Sequence, residues 1–240
     1  MWEDIVSAGR AGVAGIVLPK AEDPGLLKEI AGALNAIEIA SISERGRAEI
    51  VPLIESALGV RQTFEMLISS DRIECVLFGG GERGDLVADL GCEWTPDGTG
   101  LMHARSEVLL AARAAGIPYP MEAVFMDFRN LDALRAECEL ARRLGYVGKV
   151  AIHPAQVAVI NDVFTPAAHV VEYQRRVLAA FEQAEAAGSA SIAVDGKMVD
   201  YAVARVARVI IARAEAAARA QTRTNETSPA PAVDSLREAR

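Results

Sequence analysis

The sequence contains few of the features that mark several large classes of protein. It has only 3 cysteines in 240 residues, without ligand-like spacing, which argues against a disulfide framework and a zinc site and favours a reducing cytoplasm. No apolar run reaches the roughly 20 residues of a membrane span, and the N-terminus does not resemble a signal peptide. A net charge of -8 gives no general attraction to nucleic acid or anionic membranes. We therefore expect a cytoplasmic protein without nucleic-acid or membrane partners.

What the sequence does contain is a series of short apolar, β-branched runs. Because each run is too short for a core helix and almost continuously apolar, it is typical of a strand buried on both faces of a parallel sheet. The five runs are Val13–Pro19, Glu49–Glu55, Cys75–Gly80, Glu122–Phe128 and Lys149–Pro154.

Helical segments separate these runs. Asp23 is a helix-capping residue and Pro24 is a proline in the first turn, and together they predict a helix through Leu34. Two further Ala/Leu-rich segments, 98–115 and 131–144, are each followed by glycine, the residue favoured just after a helix. The alternation of strands and helices predicts right-handed βαβ units.

The pattern changes after the fifth run and divides the chain into three parts. Residues 1–160 carry the βα units, and we predict a helical extension over 161–218 with an Asp-Gly turn between its helices. Residues 219–240 are polar and rich in Pro and Ser, so we predict that they are disordered.

Polar residues follow the predicted strands at equivalent places. Since the carboxyl ends of strands form the active-site face of a βα barrel, this arrangement is the strongest indication from residues alone that the protein is an enzyme. The polar residues are Lys20, Glu55, Asp85, Asp127 and His153.

Several segments, in this order, resemble the citrate lyase beta-chain-like family within the HpcH/HpaI aldolase superfamily. They are IVLPKAEDP, PLIESALGV, GDLVADLG, HARSEVLLAARAAGIP, FMDFRNLDALRAECELARRLGYVGKVAIHPAQVAVIN and DGKMVD. The resemblance covers roughly residues 5–215. It implies a TIM-type β/α barrel with a C-terminal helical extension, and a homo-oligomer (trimer or hexamer).

The resemblance also implies a reaction, a cofactor and site residues. The activity would be a Mg²⁺-dependent cleavage of a carbon–carbon bond in a short hydroxyacyl-CoA, such as a citryl- or malyl-CoA-like thioester, or the related thioester hydrolysis. Glu55 and Asp85 match the family's metal ligands, and Asp200 matches a catalytic aspartate that reaches a neighbouring subunit's site. We assign Lys20 and His153 to substrate binding.

The chain departs from the family in two respects. FGGGERGDL stands where the family runs Phe-Gly-Ala-Glu-Asp-Leu, so Glu82 competes with Asp85 as the ligand. The family's first units, with their substrate-binding arginine, have no match here. We therefore expect an N-terminally truncated barrel with about five of the usual eight βα units.

Each site residue also has a purely structural interpretation. Asp85 and Asp200 could cap helices, Lys20 could pair with Asp127, and His153 could bind a backbone carbonyl. We expect Arg105 on a helix exterior, in a surface ion pair of little energetic value.

The function has alternatives too. The chain could be a non-catalytic subunit or inactive remnant of the family, or an aldolase acting on a free 2-keto acid.

Overall fold

The computed structural model describes residues 1–41 and 46–227, without the side chains of 221–227. The chain forms two compact units, which meet in sequence between Phe164 and Thr165.

A four-stranded parallel sheet forms the centre of the first unit. Its strands lie side by side in sequence order, which confirms the parallel α/β class and the order of the first three predicted runs. The strands are β1 (Gly15–Leu18), β2 (Glu49–Ile54), β3 (Cys75–Phe78) and β4 (Tyr119–Glu122).

The fourth and fifth strands differ from the prediction. The predicted strand 122–128 is wrong in its bounds, because β4 ends at Glu122, where that run begins. Pro120 lies inside β4 and has no N–H to donate, which is why this stretch does not look like a strand in sequence. The predicted strand 149–154 is reduced to one parallel bridge between Glu122 and Lys149.

Helices connect the strands and surround one side of the sheet. The helices of the first unit are α1 (Trp2–Arg10), α2 (Pro24–Ala40), α3 (Ala57–Arg61), α4 (Thr63–Leu67), α5 (Asp85–Leu90), α6 (Met102–Ala114), α7 (Leu131–Leu144) and α8 (Pro154–Phe164).

Two predicted helix ends are confirmed. The Asp23 carboxylate accepts a hydrogen bond from the Gly25 N–H at 2.7 Å and caps α2, although this helix extends beyond the predicted Leu34 to Ala40. After α6, Gly116 adopts a φ of +78°, a conformation that glycine reaches without a Cβ clash.

The two faces of the sheet have different surroundings. The side chains of Ile50, Ile54 and Phe78 point towards the helices and are fully buried. On the other face Val17 is 56% exposed and Tyr119 is 54% exposed. The strands do not close into a barrel within the described residues, so the barrel stays a prediction.

Charged residues are buried between the sheet and its helices. Arg105 on α6 is 2% exposed, with its Nε 2.7 Å from Glu122 Oε1, so the expected surface position of this arginine is wrong. Lys149 contacts Glu122 at 3.7 Å and Glu137 at 2.6 Å. Burial raises the pKa of the Glu122 carboxyl, against the attraction of Lys149 and Arg105.

The second unit is a helical pair with a short hairpin. The predicted Asp-Gly turn is present, with Asp195 and Gly196 at φ of +49° and +74°, as two-residue hairpin turns require. The flanking residues pair as antiparallel strands, where the sequence indicated only a loop. The elements are α9 (Ala168–Ala186), β5 (Ile192–Val194), β6 (Lys197–Val199) and α10 (Tyr201–Thr227).

Helix α10 reaches further than expected. It continues to Thr227 and so includes the start of the segment from residue 219 that we predicted to be disordered. The remainder of that segment, 228–240, lies outside the described residues. No helix in the described ranges is both long enough and apolar enough to span a membrane.

Candidate active site

The two predicted metal ligands contact the same lysine at the carboxyl ends of the strands. The Lys20 N–H, just after β1, donates to Glu55 Oε1 at 2.9 Å. The Lys20 ammonium lies 3.1 Å from Asp85 Oδ1. Lys20 thus pairs with Asp85 and not with Asp127, the partner that the sequence left open. The alternation of strands and helices has brought Glu55 and Asp85 to one edge of the sheet.

A glycine positions Glu55. The Gly79 N–H donates to the Ile54 carbonyl at 2.8 Å, so the chain leaving β3 runs directly beside the end of β2. A Cβ at position 79 would lie 2.7 Å from Glu55 Cβ, closer than side-chain atoms approach one another. Glycine at position 79 is therefore required for this placement of Glu55.

Helix α5 connects Asp85 to the segment that follows Glu55. Asp85 is the first residue of this helix, while Asp89, one turn later, accepts a hydrogen bond from the Ala57 N–H at 2.6 Å. Ser56 caps α3 by accepting from the Gly59 N–H at 3.0 Å. The two carboxylate-bearing segments are thus held together by hydrogen bonds outside the site itself.

A cavity of about 470 Å³ opens beside Glu55. Its walls carry three carboxylates and one guanidinium. The lining residues are Leu53, Glu55, Gly79, Gly81, Glu82, Arg83, Gly84, Ala123, Val124, Met126 and Asp127.

Arg83 is a site residue that sequence reasoning missed. It lines the cavity, with its Nε 3.7 Å from Glu82 Oε1 and its side chain 91% exposed. Its only sequence signal is its place in the apparent insertion. Arg83 and Lys20 both have positive φ, at +58° and +50°, a strained conformation for these residue types that recurs at functional sites.

His153 has a structural role that the geometry makes clear. Its Nδ1 accepts a hydrogen bond from the Ala155 N–H at 3.1 Å, at the start of α8, and its exposed ring stacks on Phe128 with centroids 4.6 Å apart. Asp127 also bonds locally, to the Arg129 N–H at 3.3 Å. Substrate binding by His153 stays a prediction.

Asp200 lies in the second unit and caps α10. Its Oδ1 accepts from the N–H groups of Ala202 and Val203 at 3.0 and 3.1 Å. This is the structural interpretation left open by the sequence, and it does not test a catalytic role, because one carboxylate oxygen can cap the helix while the other faces outward.

The donor set suits magnesium. Glu55 and Asp85 offer hard carboxylate oxygens, and Mg²⁺ usually keeps several waters and needs only one or two protein carboxylates. Among the described side chains, His, Cys, Asp and Glu form no group of three or more that could hold a metal. The site therefore fits a partly hydrated Mg²⁺ better than a metal enclosed by protein ligands.

Two of the cysteines are unsuited to nucleophilic chemistry. Burial raises the pKa of the Cys75 and Cys138 thiols to about 11, so both are protonated at neutral pH, and the thiolate is the reactive form.

Comparison with known proteins identifies the family. Residues 1–154 match the HpcH/HpaI aldolase/citrate lyase family. Citrate lyase subunit beta of Haemophilus influenzae is 32% identical over 216 residues, which cover 90% of this chain and 73% of that protein. The (3S)-malyl-CoA thioesterase of Cereibacter sphaeroides is 35% identical over 210 residues, 88% of this chain and 71% of that protein. The CitE protein of Mycobacterium tuberculosis, solved with magnesium, acetoacetate and coenzyme A, is 28% identical with a TM-score of 0.67, over 89% of this chain and 73% of that one. The chain belongs to the HpcH/HpaI aldolase/citrate lyase family.

Proposed function

We propose that the protein is a Mg²⁺-dependent carbon–carbon lyase acting on a short hydroxyacyl-CoA of the citryl- or malyl-CoA type. The observation that carries this proposal is the meeting of Glu55 and Asp85 at Lys20, with Glu55 also in the wall of a 470 Å³ cavity. Family membership supports the reaction class, and the named ligands of the Mycobacterium tuberculosis relative support Mg²⁺ and CoA.

The residues have distinct proposed roles. Glu55 and Asp85 hold the metal, which when bound supplies a positive charge that stabilises a developing enolate. Because the Lys20 ammonium contacts Asp85, it must move aside when the metal binds, and it is then free to bind the substrate. His153 is the second substrate-binding residue.

Asp200 is the proposed acid–base group, acting in the site of a neighbouring subunit. A catalytic group must come within about 3 Å of the proton it transfers. This role requires a homo-oligomer, for which we propose a trimer or hexamer. Separately, we propose that the fold is a β/α barrel of which this chain supplies about five of the eight βα units.

Three other functions remain as competitors. Thioester hydrolysis is supported by the similarity to a thioesterase and uses the same thioester-activating site. A non-catalytic subunit would keep the fold without turnover, and an aldolase on a free keto acid would work without CoA. Product analysis with a CoA ester separates cleavage from hydrolysis, since only cleavage releases a shorter acyl-CoA and only hydrolysis releases free CoA with an intact acid. If neither product forms, turnover of a free keto acid would indicate the aldolase, and no turnover of either substrate would indicate the non-catalytic subunit.

Magnesium affinity tests the site directly. Glu55→Gln keeps an oxygen that can accept from the Lys20 N–H but removes the charge, so the local geometry should survive. We expect the affinity for Mg²⁺, measured by isothermal titration calorimetry, to fall at least tenfold, about 1.4 kcal/mol. Asp85→Asn should have a similar effect.

Two comparison variants make that result specific. Glu65→Gln changes an exposed glutamate on α4 and should leave the affinity unchanged. Glu82→Gln tests the rival ligand. Undiminished Mg²⁺ binding in Glu55→Gln would show that Glu55 is not a metal ligand and would contradict the proposed function.

A further inference from the structure

Arg83 supplies the positive charge in an otherwise acidic cavity. The ionisable residues lining it are Glu55, Glu82, Asp127 and Arg83, all within the described part of the chain. The neighbouring cation, Lys20, contacts Asp85 at 3.1 Å and does not line the cavity. Within the described ranges, the one ion pair of Arg83 is a 3.7 Å contact with Glu82, and its side chain is 91% exposed. Its guanidinium is therefore available to an anionic ligand.

The turn that carries Arg83 holds this residue in a backbone conformation of unfavourable energy. The Gly84 N–H donates to the Gly81 carbonyl at 3.0 Å and closes a four-residue turn. Arg83 is the third residue of this turn, with φ of +58°, where glycine is normally preferred. A Cβ at Gly84 would lie 2.9 Å from the Gly81 oxygen, so the turn is tight. An arginine at this strained place is unfavourable for the fold and indicates a role for its side chain.

We propose that Arg83 binds a second carboxylate on the acyl group, which makes the substrate a dicarboxylic hydroxyacyl thioester of the citryl type. This inference rests on the proposed function. A malyl group carries one carboxylate next to its hydroxyl, and the metal site would bind both the carboxylate and the hydroxyl. A citryl group has a further carboxylate on the adjoining carbon, which needs its own cation. The planar guanidinium can donate two parallel hydrogen bonds to a carboxylate, which lysine cannot.

The test uses two keto acids that differ only by that carboxylate. Oxaloacetate is pyruvate with a carboxylate on its methyl carbon, so both present the same α-keto acid to a metal. Binding of each, in fresh solution, is measured by calorimetry with and without Mg²⁺, for the full chain and its variants. We expect the unaltered chain to bind oxaloacetate at least tenfold more tightly than pyruvate. In Arg83→Gln that preference should disappear while the affinities for pyruvate and Mg²⁺ stay unchanged.

Two further variants exclude a structural explanation. Arg83→Gly removes the side chain and also the backbone strain, so it should lose the preference with a melting temperature equal to or above that of the unaltered chain. Arg61→Gln changes an exposed arginine that does not line the cavity, and it should keep the preference.

The outcomes separate this proposal from the wider one. A chain that does not bind Mg²⁺ contradicts the proposed metal site, and the oxaloacetate preference is still measurable without metal. An unaltered chain that shows no preference for oxaloacetate overturns the role of Arg83. So does a preference that survives in both Arg83→Gln and Arg83→Gly.

Discussion

Single residues decide how closely the strand ends of this protein approach. The 2.7 Å separation between Glu55 Cβ and a Cβ built at Gly79 leaves no room for any side chain at position 79. The positive φ of Lys20 turns its backbone N–H onto Glu55 and its ammonium onto Asp85. One glycine and one strained lysine therefore bring together a carboxylate that follows β2 and a carboxylate at the start of α5.

The dual interpretation of Asp200 can be resolved by exchanging its side chain. Asn is as good a helix cap as Asp but cannot transfer a proton, whereas Ala can do neither. If Asp200 is the acid–base group, Asp200→Asn should keep the melting temperature and lower kcat by at least 100-fold, as the loss of general acid–base catalysis does. Asp200→Ala should in addition lose about 1 kcal/mol of stability.

One outcome of comparing those two variants would contradict the acid–base role of Asp200. Full turnover in Asp200→Asn, with reduced stability only in Asp200→Ala, would leave Asp200 with the capping role alone.

At the scale of elements, a buried ion pair links helix α2 to the sheet. Arg72, before β3, donates to both carboxylate oxygens of Glu38 on α2, at 2.9 and 2.6 Å. The same carboxylate accepts from the N–H of Ala48, just before β2, at 3.0 Å. Glu38 is 6% exposed, so the pair is screened little by water and removing one partner would leave a buried charge.

This pair predicts a pH dependence of stability. The hydrogen bonds from Arg72, followed by those from Ala48 and Gly46, lower the pKa of Glu38 from 4.5 to about 2 against the opposing effect of burial. A lowered folded-state pKa gives stability that is fully present above the unfolded value and is lost as protonation proceeds. The free energy of unfolding should therefore decrease as the pH falls from about 4.5 towards 2.

Urea denaturation across this pH range measures the effect. Glu38→Gln should be less stable at neutral pH and should lose less stability on acidification. Glu29→Gln, on an exposed position of the same helix, should follow the unaltered protein. Equal acid sensitivity in Glu38→Gln and Glu29→Gln would show that another group controls the transition.

At the scale of the whole molecule, one edge and one face of the main sheet are open. Among the residues that the structure describes, strand β1 pairs with β2 alone, and Val17 on it is 56% exposed. An exposed apolar edge strand is a template for pairing with a second chain, and a lysine on it opposes such pairing. We expect the chain to self-associate as its concentration rises, and Val17→Lys to reduce this association without lowering stability.

Sedimentation velocity at several concentrations tests the expectation. Val203→Lys is the matched control, since it places the same charge on an exposed valine of the second unit. The role of this edge would be contradicted if the unaltered chain remained monomeric at every concentration. It would also be contradicted if Val17→Lys associated as strongly as the unaltered chain.

Local signals in the sequence determined much of the architecture. The cap at Asp23, the glycine at 116 and the Asp-Gly turn at 195–196 are confirmed, as is the parallel order of the first three predicted strands. These features depend on a few consecutive residues, because caps and turns are decided by local hydrogen bonds and by which φ values a residue can adopt. The order of motifs along the chain was likewise enough to indicate the family.

Tertiary structure alone decided which distant residues meet. It joined Lys20 to Asp85 and not to Asp127, and buried Arg105 against Glu122. It also placed Arg83 in the cavity wall. A contact between residues far apart in sequence depends on how the strands and helices pack, and the same charged residue is equally acceptable on a surface or in a buried pair. The sequence therefore determined the elements and the residue types of the site, and the packing of those elements selected the partners.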